Sequence, residues 1–239
     1  MSCSKFATPF RALLWKEWRE SWGLLLSAFA PVVLYSSEQL LLEFGNPNYR
    51  WIPVGDLYGM LPMTIAFVSA LSLGARLFSS ERANGTDRFQ AERSVTRATI
   101  WNAKLFLPAL ALITGTILLW VAFVWIWPGP YDSDNLWGGE PLFGPEILYM
   151  FFAPILLAFT SALFCSVFLD RPVTAWAGGA VVSIFLWLGP LLPLQWLGVA
   201  RGKPGYTFYM VLLFTFLLVV EPVCLLWLSR VAYVRWLRE

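Results

Sequence analysis

The sequence predicts an all-α integral membrane protein with six transmembrane helices. Three properties support this fold class: 58% of the 239 residues are hydrophobic, the mean hydropathy is +0.63, and only 13% are charged. A soluble domain carries about 25% charged residues, so lipid must be the solvent for most of this chain. Aromatic residues reach 17%, which suits a protein with many membrane–water boundaries, where amphipathic rings collect.

The six helices are predicted from the length of the apolar runs. A helix needs about 20 apolar residues to cross a hydrocarbon core of roughly 30 Å. Inside lipid every backbone N–H and C=O needs a partner, and a helix supplies these partners within itself. We therefore expect a single transmembrane domain over residues 1–239. The predicted spans cover residues 22–42, 57–78, 105–127, 147–169, 172–197 and 207–229.

Residues 8–21, before the first span, are predicted to form a separate amphipathic helix. Thr8 is suited to cap this helix, and Pro9 is suited to its first position. At 100° per residue, large apolar side chains fall on one broad face, so we expect the helix to lie along the cytoplasmic interface. The alternative is a cytosolic extension of the first span. The predicted interface residues are Phe10, Leu14, Trp15 and Trp18.

The orientation is predicted from the lysines and arginines, because loops rich in them stay cytoplasmic. With the N-terminus inside, all but Arg50, Arg201 and Lys203 of the 17 basic residues fall on the cytoplasmic side. The loop 128–145, predicted to be external, contains three acidic residues and no basic one. We therefore expect a multi-pass protein of the plasma (inner) membrane with both termini in the cytoplasm. The predicted cytoplasmic cations are Lys5, Arg11, Lys16, Arg19, Arg76, Arg82, Arg88, Arg93, Arg97, Lys104, Arg171, Arg230, Arg235 and Arg238.

The long cytoplasmic segment 79–104 contains clear helix-ending and helix-starting signals. Asn84-Gly85 supplies a left-handed residue that ends a helix. Thr86-Asp87 can start another, with a cap and an acidic first turn. Thr96 can cap the helix that leads through Trp101 into the third span. A short exposed helix is thus predicted between two membrane helices.

The same segment contains a recognisable pattern: Glu81-Arg82, Gly85-Thr86, Phe89 and Val95-Thr96-Arg97, followed by Trp101, Ala103 and Lys104. This pattern resembles the permease subunits of type-2 ATP-binding-cassette (ABC) transporters. The helix before the first span, with Lys16-Glu17 and Arg19-Glu20, also looks like the opening of that family. One departure is visible, because this chain has Arg93-Ser94 where many members of the family place Leu-Pro.

The resemblance implies that residues 85–93 form a coupling helix on a separate cytosolic ABC ATPase subunit, with Phe89 as its anchor. It further implies an exporter in which this chain, paired with a second copy or a paralogue, forms half of the pore. Under the alternative, Phe89 packs on its own loop or on lipid, and Glu81 and Arg82 form a solvated helix end. The residues assigned to ATPase coupling by the resemblance are Glu81, Arg82, Gly85, Thr86, Phe89 and Arg97.

No catalytic machinery is predicted on this chain. It has no histidine, which removes the commonest metal ligand and general base. The nearest approach to a phosphate-binding loop, residues 198–204, has the wrong spacing and a proline at the hydroxyl position. We therefore expect no metal site and no cofactor here, with ATP and Mg²⁺ bound by the partner. The net charge of +2 is too small to indicate a nucleic-acid partner.

Two acidic residues lie within apolar runs, where charge is costly. Glu38 is predicted near the outer surface, and Glu221, beside Pro222, near the inner third of the last span. Glu221 is the candidate for lining a transport route. The alternative is that Glu221 makes a structural hydrogen bond at the break caused by the proline. The segment 189–205, broken by glycine and proline, is predicted as either a re-entrant piece or a kinked helix. Two other functional classes stay open: a membrane anchor or sensor, and a proton-coupled secondary transporter that uses Glu221.

Overall fold

The computed structural model describes residues 4–44, 55–84, 96–126, 145–189, 212 and 215–235. This part of the chain contains helices and no strand, which confirms the all-helical prediction for it. A π-helical segment, Phe216–Val220, leads directly into the last helix. The helices are α1 (Ser4–Ser27), α2 (Ala30–Phe44), α3 (Gly55–Ala83), α4 (Arg97–Ile126), α5 (Pro145–Phe168), α6 (Pro172–Leu188) and α7 (Glu221–Arg235).

Three helical stretches are long and apolar enough to cross a membrane. They are Leu61–Ala83, Arg97–Ala122 and Phe216–Arg235, and they coincide with the second, third and sixth predicted spans. Phe152–Phe168 and Pro172–Leu188 are apolar but shorter, and they fall within the fourth and fifth. The described residues thus support a membrane protein with three candidate spans, while the full set of six stays a prediction.

The N-terminal part of the chain differs from the prediction. We expected a cap at Thr8 and a boundary between the interface helix and the first span at residue 21, but α1 begins at Ser4 and continues to Ser27. The chain then turns through Ala28 and Phe29 before α2. The apolar residues after position 21 prolong α1 instead of starting a new helix. Pro31 lies in the first turn of α2, where its missing N–H is tolerated.

The centre of the bundle is the packing of α5 between α3 and α6, and α3 with α5 is the most extensive helix contact. A small residue of α5, Ala162, lies against Gly74 of α3 and Gly179 of α6. A Cβ at Gly179 would lie 2.5 Å from the Cα of Ala162, and one at Gly74 would meet the backbone of Phe159 and Leu163. These glycines therefore allow close backbone approach, as small residues do between membrane helices.

Helix α4 packs mainly against α1 and α2. A Cβ at Gly115 would collide with the carbonyl oxygen of Ala28, so α4 lies directly on the turn between α1 and α2. The hydroxyl of Ser69 on α3 donates to the carbonyl of Ser27, 3.1 Å away. The turn after α1 is therefore held by both α3 and α4.

The charged ends of several helices meet at one end of the bundle, which we call the charged end. Lys16 of α1 lies 3.3 Å from Glu81 at the end of α3. Arg82 lies 3.6 Å from Asp170, in the connection between α5 and α6. The guanidinium of Arg230 on α7 lies 5.9 Å from the ring centroid of Trp101 near the start of α4. The elements that the sequence assigned to the cytoplasmic side thus share one end of the molecule.

Candidate functional site

The most deeply buried charge at the charged end is Lys104, near the start of α4. Its side chain is only 3% exposed. The ammonium lies 2.7 Å from Glu81 Oε1 and 3.3 Å from Glu17 Oε1, and it donates to the carbonyl of Leu77 at 3.2 Å. Three acceptors match the three protons of a lysine ammonium. Lys104 is thus fully satisfied without water.

This ionic cluster, defined here as Glu17, Glu81 and Lys104, joins three helices. Glu17 belongs to α1, Glu81 to α3 and Lys104 to α4. Burying an unpaired charge costs roughly several kcal/mol. Buried charged groups therefore persist only when they are paired. Lys16 adds a second cation 3.3 Å from Glu81. The cluster therefore fixes the relative position of α1, α3 and α4 at their charged end.

Glu17 is the less well compensated carboxylate of the cluster. Burial raises the pKa of its carboxyl above the ordinary value of 4.5, and the attraction of Lys104 only partly opposes this shift. The neighbouring charge of Glu81 also raises the pKa of Glu17. Proton loss from Glu17 is therefore harder in the folded protein than in the unfolded chain.

A cavity of about 340 Å³ lies beside the ionic cluster, between α1, α3 and α4. Glu20, Arg76 and Asn84 are exposed, so the cavity reaches the protein surface. The guanidinium of Arg76 donates to the carbonyl of Glu20 at 3.2 Å. The lining residues are Lys16, Glu17, Glu20, Ser21, Leu24, Leu73, Arg76, Leu77, Ser80, Glu81, Asn84, Lys104 and Pro108.

The alternative in which Glu81 and Arg82 form only a solvated helix end is wrong for Glu81. Glu81 is buried and contacts both Lys104 and Lys16. The side chain of Arg82 is 15% exposed and pairs with the largely exposed Asp170. Glu81 therefore helps to hold the end of α3, where the predicted coupling segment begins.

Two of the predicted helix boundaries around the coupling segment agree with the structure, whereas the start predicted at Thr86-Asp87 lies outside the described residues. Helix α3 ends at Ala83, immediately before Asn84-Gly85. Helix α4 begins at Arg97, and the Thr96 hydroxyl oxygen accepts from the N–H of Thr99 at 3.3 Å. This bond confirms the cap predicted at Thr96.

Of the remaining predicted coupling residues, the structure describes only Arg97, which follows the segment at the start of α4. Arg97 is half-buried, and one of its guanidinium nitrogens is buried without a hydrogen-bond partner among the described residues. Gly85, Thr86 and Phe89 lie outside the described residues. The coupling helix itself stays a prediction.

The predicted apolar face of the N-terminal helix is divided in the structure. Trp15 and Trp18 are 66% and 47% exposed, and Trp22 continues their stripe. Phe10 and Leu14 instead turn inward and pack against the core. The expectation of one shared face is therefore wrong for these two residues, because α1 packs along α4 and needs an apolar inner face of its own.

Glu221 begins α7, directly after the π-helical segment Phe216–Val220. One of its carboxylate oxygens, Oε2, is buried without a hydrogen-bond partner among the described residues. Among all the residues that the structure describes, no three His, Cys, Asp or Glu side chains converge as metal ligands. The side chain of Glu38 and residues 190–205, where a re-entrant piece was considered, lie outside the described residues.

Sequence reasoning missed the roles of Glu17 and Lys104. The sequence assigns Glu17 only to the Lys16-Glu17 pair that resembles the opening of the family, and Lys104 only to the cytoplasmic cations and to the matching positions of the resemblance. A usable signal exists, because Glu17 lies one turn after the inward-facing Leu13 and Lys104 directly precedes an apolar run. Ionisable residues in such positions usually pair with one another.

No protein-family model matches the sequence, and neither the curated proteins nor the solved structures include one that matches it. The function is therefore argued from the sequence motifs and from the site itself.

Proposed function

We propose that this chain is the membrane-spanning permease subunit of a type-2 ABC transporter. It works as an exporter in the plasma membrane with both termini in the cytoplasm, and pairs with a second copy or a paralogue to complete the pore. Residues 85–93 form the coupling helix on a separate ATPase subunit, which binds ATP and Mg²⁺. The single observation that carries the proposal is the ionic cluster at the base of this segment.

The ionic cluster supports the proposal because it joins both ends of the coupling segment. The segment leaves the membrane at the end of α3 and returns at the start of α4. Glu81 and Lys104, 2.7 Å apart, connect these two ends, and Glu17 connects them to α1. A displacement of residues 85–93 by a partner would therefore move three helices together rather than bend a loose loop. Coupled motion of packed elements is what an ATP-driven transporter needs.

Co-purification tests the partner. Phe89→Asp places a charge on the proposed anchor, and loss of an aromatic hot spot typically costs about 2 kcal/mol or more of binding, roughly a thirtyfold loss of affinity. We expect the ATPase subunit to be lost from the solubilised complex. Phe143→Asp, the same change in the loop predicted to be external, is the matched control and should leave the complex intact.

Two results contradict the proposal. One is the absence of any ATPase subunit with the wild-type protein after gentle solubilisation. The other is an intact complex with Phe89→Asp. A membrane anchor or sensor, the second class of function, predicts activity that survives an ATPase-dead partner.

A proton-coupled secondary transporter is the other candidate, and one observation favours it. The Oε2 atom of Glu221 is buried beside a π-helical segment and has no hydrogen-bond partner among the described residues. It is a candidate proton site, because π-helical turns occur frequently at functional sites. This candidate predicts transport driven by a pH gradient without ATP and lost in Glu221→Gln. Transport that requires ATP and persists in Glu221→Gln would eliminate it.

A further inference from the structure

The cavity beside the ionic cluster is amphipathic along the direction of the helices that form it. On α1 the lining changes from Lys16 and Glu17, through Glu20 and Ser21, to Leu24. On α3 the lining runs from Glu81 and Ser80 at the charged end, through Leu77 and Arg76, to Leu73, and on α4 it runs from Lys104 to Pro108. The apolar lining residues at the deeper end are Leu24 on α1, Leu73 on α3 and Pro108 on α4.

The deeper end of the cavity points toward the interior of the bundle. Beyond Leu24 and Leu73, α1 and α3 meet where the Ser69 hydroxyl donates to the Ser27 carbonyl. Farther along α4, Gly115 lies on Ala28. The three helices therefore run in step from charged to apolar surroundings, and a ligand that fills the cavity must itself have a polar end and an apolar end.

The charges around the cavity are balanced. Three cations and three carboxylates line it, so a head group with net charge gains no overall attraction. Lys104 is already matched with Glu17, Glu81 and the Leu77 carbonyl. The charged groups at the exposed side are Arg76 and Glu20, and the carboxylate of Glu20 lies 3.9 Å from the ammonium of Lys16 on the same helix. The cations are Lys16, Arg76 and Lys104, and the carboxylates are Glu17, Glu20 and Glu81.

This pair of exposed groups fits a zwitterion that contains a phosphate and a primary ammonium. The forked guanidinium of Arg76 suits phosphate oxygens, and the carboxylate of Glu20 suits an ammonium that donates hydrogen bonds. A quaternary ammonium is recognised by aromatic rings, and the residues described as lining this cavity include none. The lining therefore favours an ethanolamine over a choline head group.

We propose that this cavity binds a membrane phospholipid with an ethanolamine head group. The phosphate lies against Arg76 with Lys16 nearby, the ammonium lies against Glu20, and the first part of the acyl chains lies along Leu24 and Leu73. A volume of about 340 Å³ lies within the range of small-molecule sites and holds the head group with its glycerol. The site goes beyond the proposed transport function and needs no ATPase subunit.

Lipid retention by the full-length chain tests the proposal. The purified protein is exchanged into bilayers of equal parts phosphatidylethanolamine, phosphatidylcholine and phosphatidylglycerol, and re-extracted, and the retained lipids are quantified by mass spectrometry. We expect phosphatidylethanolamine to be enriched about tenfold over the other two, the factor expected from one charge-assisted hydrogen bond.

Two substitutions separate the contacts. Arg76→Gln should lower the retained phosphatidylethanolamine about tenfold, since it removes the phosphate contact. Glu20→Gln, at an exposed position that tolerates the change, should remove the tenfold advantage of phosphatidylethanolamine, so that phosphatidylcholine becomes as well retained as phosphatidylethanolamine. Arg19→Gln is the matched control, because Arg19 is exposed and lies outside the cavity lining. It should behave like the wild-type protein.

Three results would overturn the proposal. They are equal retention of the three lipids by the wild-type protein, an unchanged lipid ratio in Glu20→Gln, and the same loss in Arg19→Gln as in Arg76→Gln. Displacement of the bound lipid by soluble glycerophosphoethanolamine at low concentration would show that the acyl chains contribute nothing, and would contradict a membrane lipid as the ligand.

Discussion

Lys104 illustrates how a single residue can join the parts of a membrane protein that come from distant positions in the chain. Its ammonium replaces the water lost on burial with two carboxylates and one backbone carbonyl. The arrangement is favourable only while all partners are present, because each member left alone would be a buried charge. Stability at the charged end should therefore respond strongly to changes in any of the three residues.

Lys104→Met should lower the free energy of unfolding by about 3 kcal/mol, the cost typical of breaking a buried ion pair. The substitution keeps the apolar part of the side chain but leaves Glu17 and Glu81 without their shared cation. Chemical denaturation of the purified protein in detergent measures the change. Arg19→Met, at an exposed position on α1, should change the free energy by less than about 0.5 kcal/mol. Equal values for both variants would show that the ionic cluster does not stabilise the fold.

The raised pKa of Glu17 predicts a pH dependence of stability. Folded Glu17 holds its proton more tightly than the unfolded chain does, so its contribution is complete below the ordinary pKa of 4.5 and is lost as the pH rises through the folded value. The charged groups that face it are Lys104, Lys16 and Glu81. We therefore expect the unfolding free energy of the wild-type protein, relative to that of Glu17→Gln, to fall as the pH rises above 4.5.

Unfolding curves of the two proteins at several pH values measure this difference, since the other titrating groups are common to both. A difference that stays constant would mean that the attraction of Lys104 cancels the effect of burial on the pKa of Glu17, and a difference that grows with rising pH would mean that the attraction outweighs it.

At the scale of the helices, the closest contacts depend on glycine. Ala162 of α5 lies against Gly179 of α6 and Gly74 of α3, and the atoms nearest to an added Cβ at Gly179 belong to the backbone and Cβ of Ala162. Backbone atoms in a packed helix cannot move aside in the way that the end of a flexible side chain can. The three helices must therefore separate if any methyl group is added at this position.

Gly179→Ala should destabilise the protein by about 1–3 kcal/mol, the range known for overpacked cores. Gly23→Ala is the matched control on α1, where an added Cβ meets nothing within 4 Å. That change should be neutral or stabilising by up to about 1 kcal/mol, because alanine favours the helix. Thermal unfolding of both variants in the same detergent compares them directly. Similar melting temperatures for the two would contradict the packing of α5 against α6.

Some features at this scale could be predicted from the sequence and others could not. The end of α3 at Asn84-Gly85 and the start of α4 after Thr96 were predictable, because caps depend on residues within one turn of each other. The end of α1 at Ser27 was not, since the turn is held by Gly115 of α4 and Ser69 of α3. The inward orientation of Phe10 and Leu14 was missed for the same reason: it depends on the helix against which α1 packs.

At the scale of the whole molecule, the charged helix ends lie together. Asn84, just after α3, and Asp170, between α5 and α6, belong to the same charged end through the pairing of Arg82 with Asp170. The positive-inside rule predicts that this end faces the cytoplasm. Both positions should therefore face the same compartment, opposite to the loop 128–145.

Cysteine accessibility measures this arrangement in cells. In a chain with its natural cysteines replaced, Asn84→Cys and Asp170→Cys should react with a membrane-impermeant maleimide only after permeabilisation. Asp134→Cys should react in intact cells. Opposite behaviour of positions 84 and 170 would contradict the structure, whereas labelling of both in intact cells would reverse the predicted orientation and remove the basis for an ATPase contact.

Composition and local pattern by themselves predicted a membrane protein, the positions of the long apolar helices α3 and α4, the end of α3 and the start of α4. Each of these properties depends on the average polarity of about 20 neighbouring residues or on a cap within one turn. Only the tertiary structure decided that Glu17, Glu81 and Lys104 meet, that a cavity lies beside them, and that Gly179 contacts Ala162. These features require particular faces of separate helices to come together, and helix periodicity records which residues share a face without recording which helix that face meets.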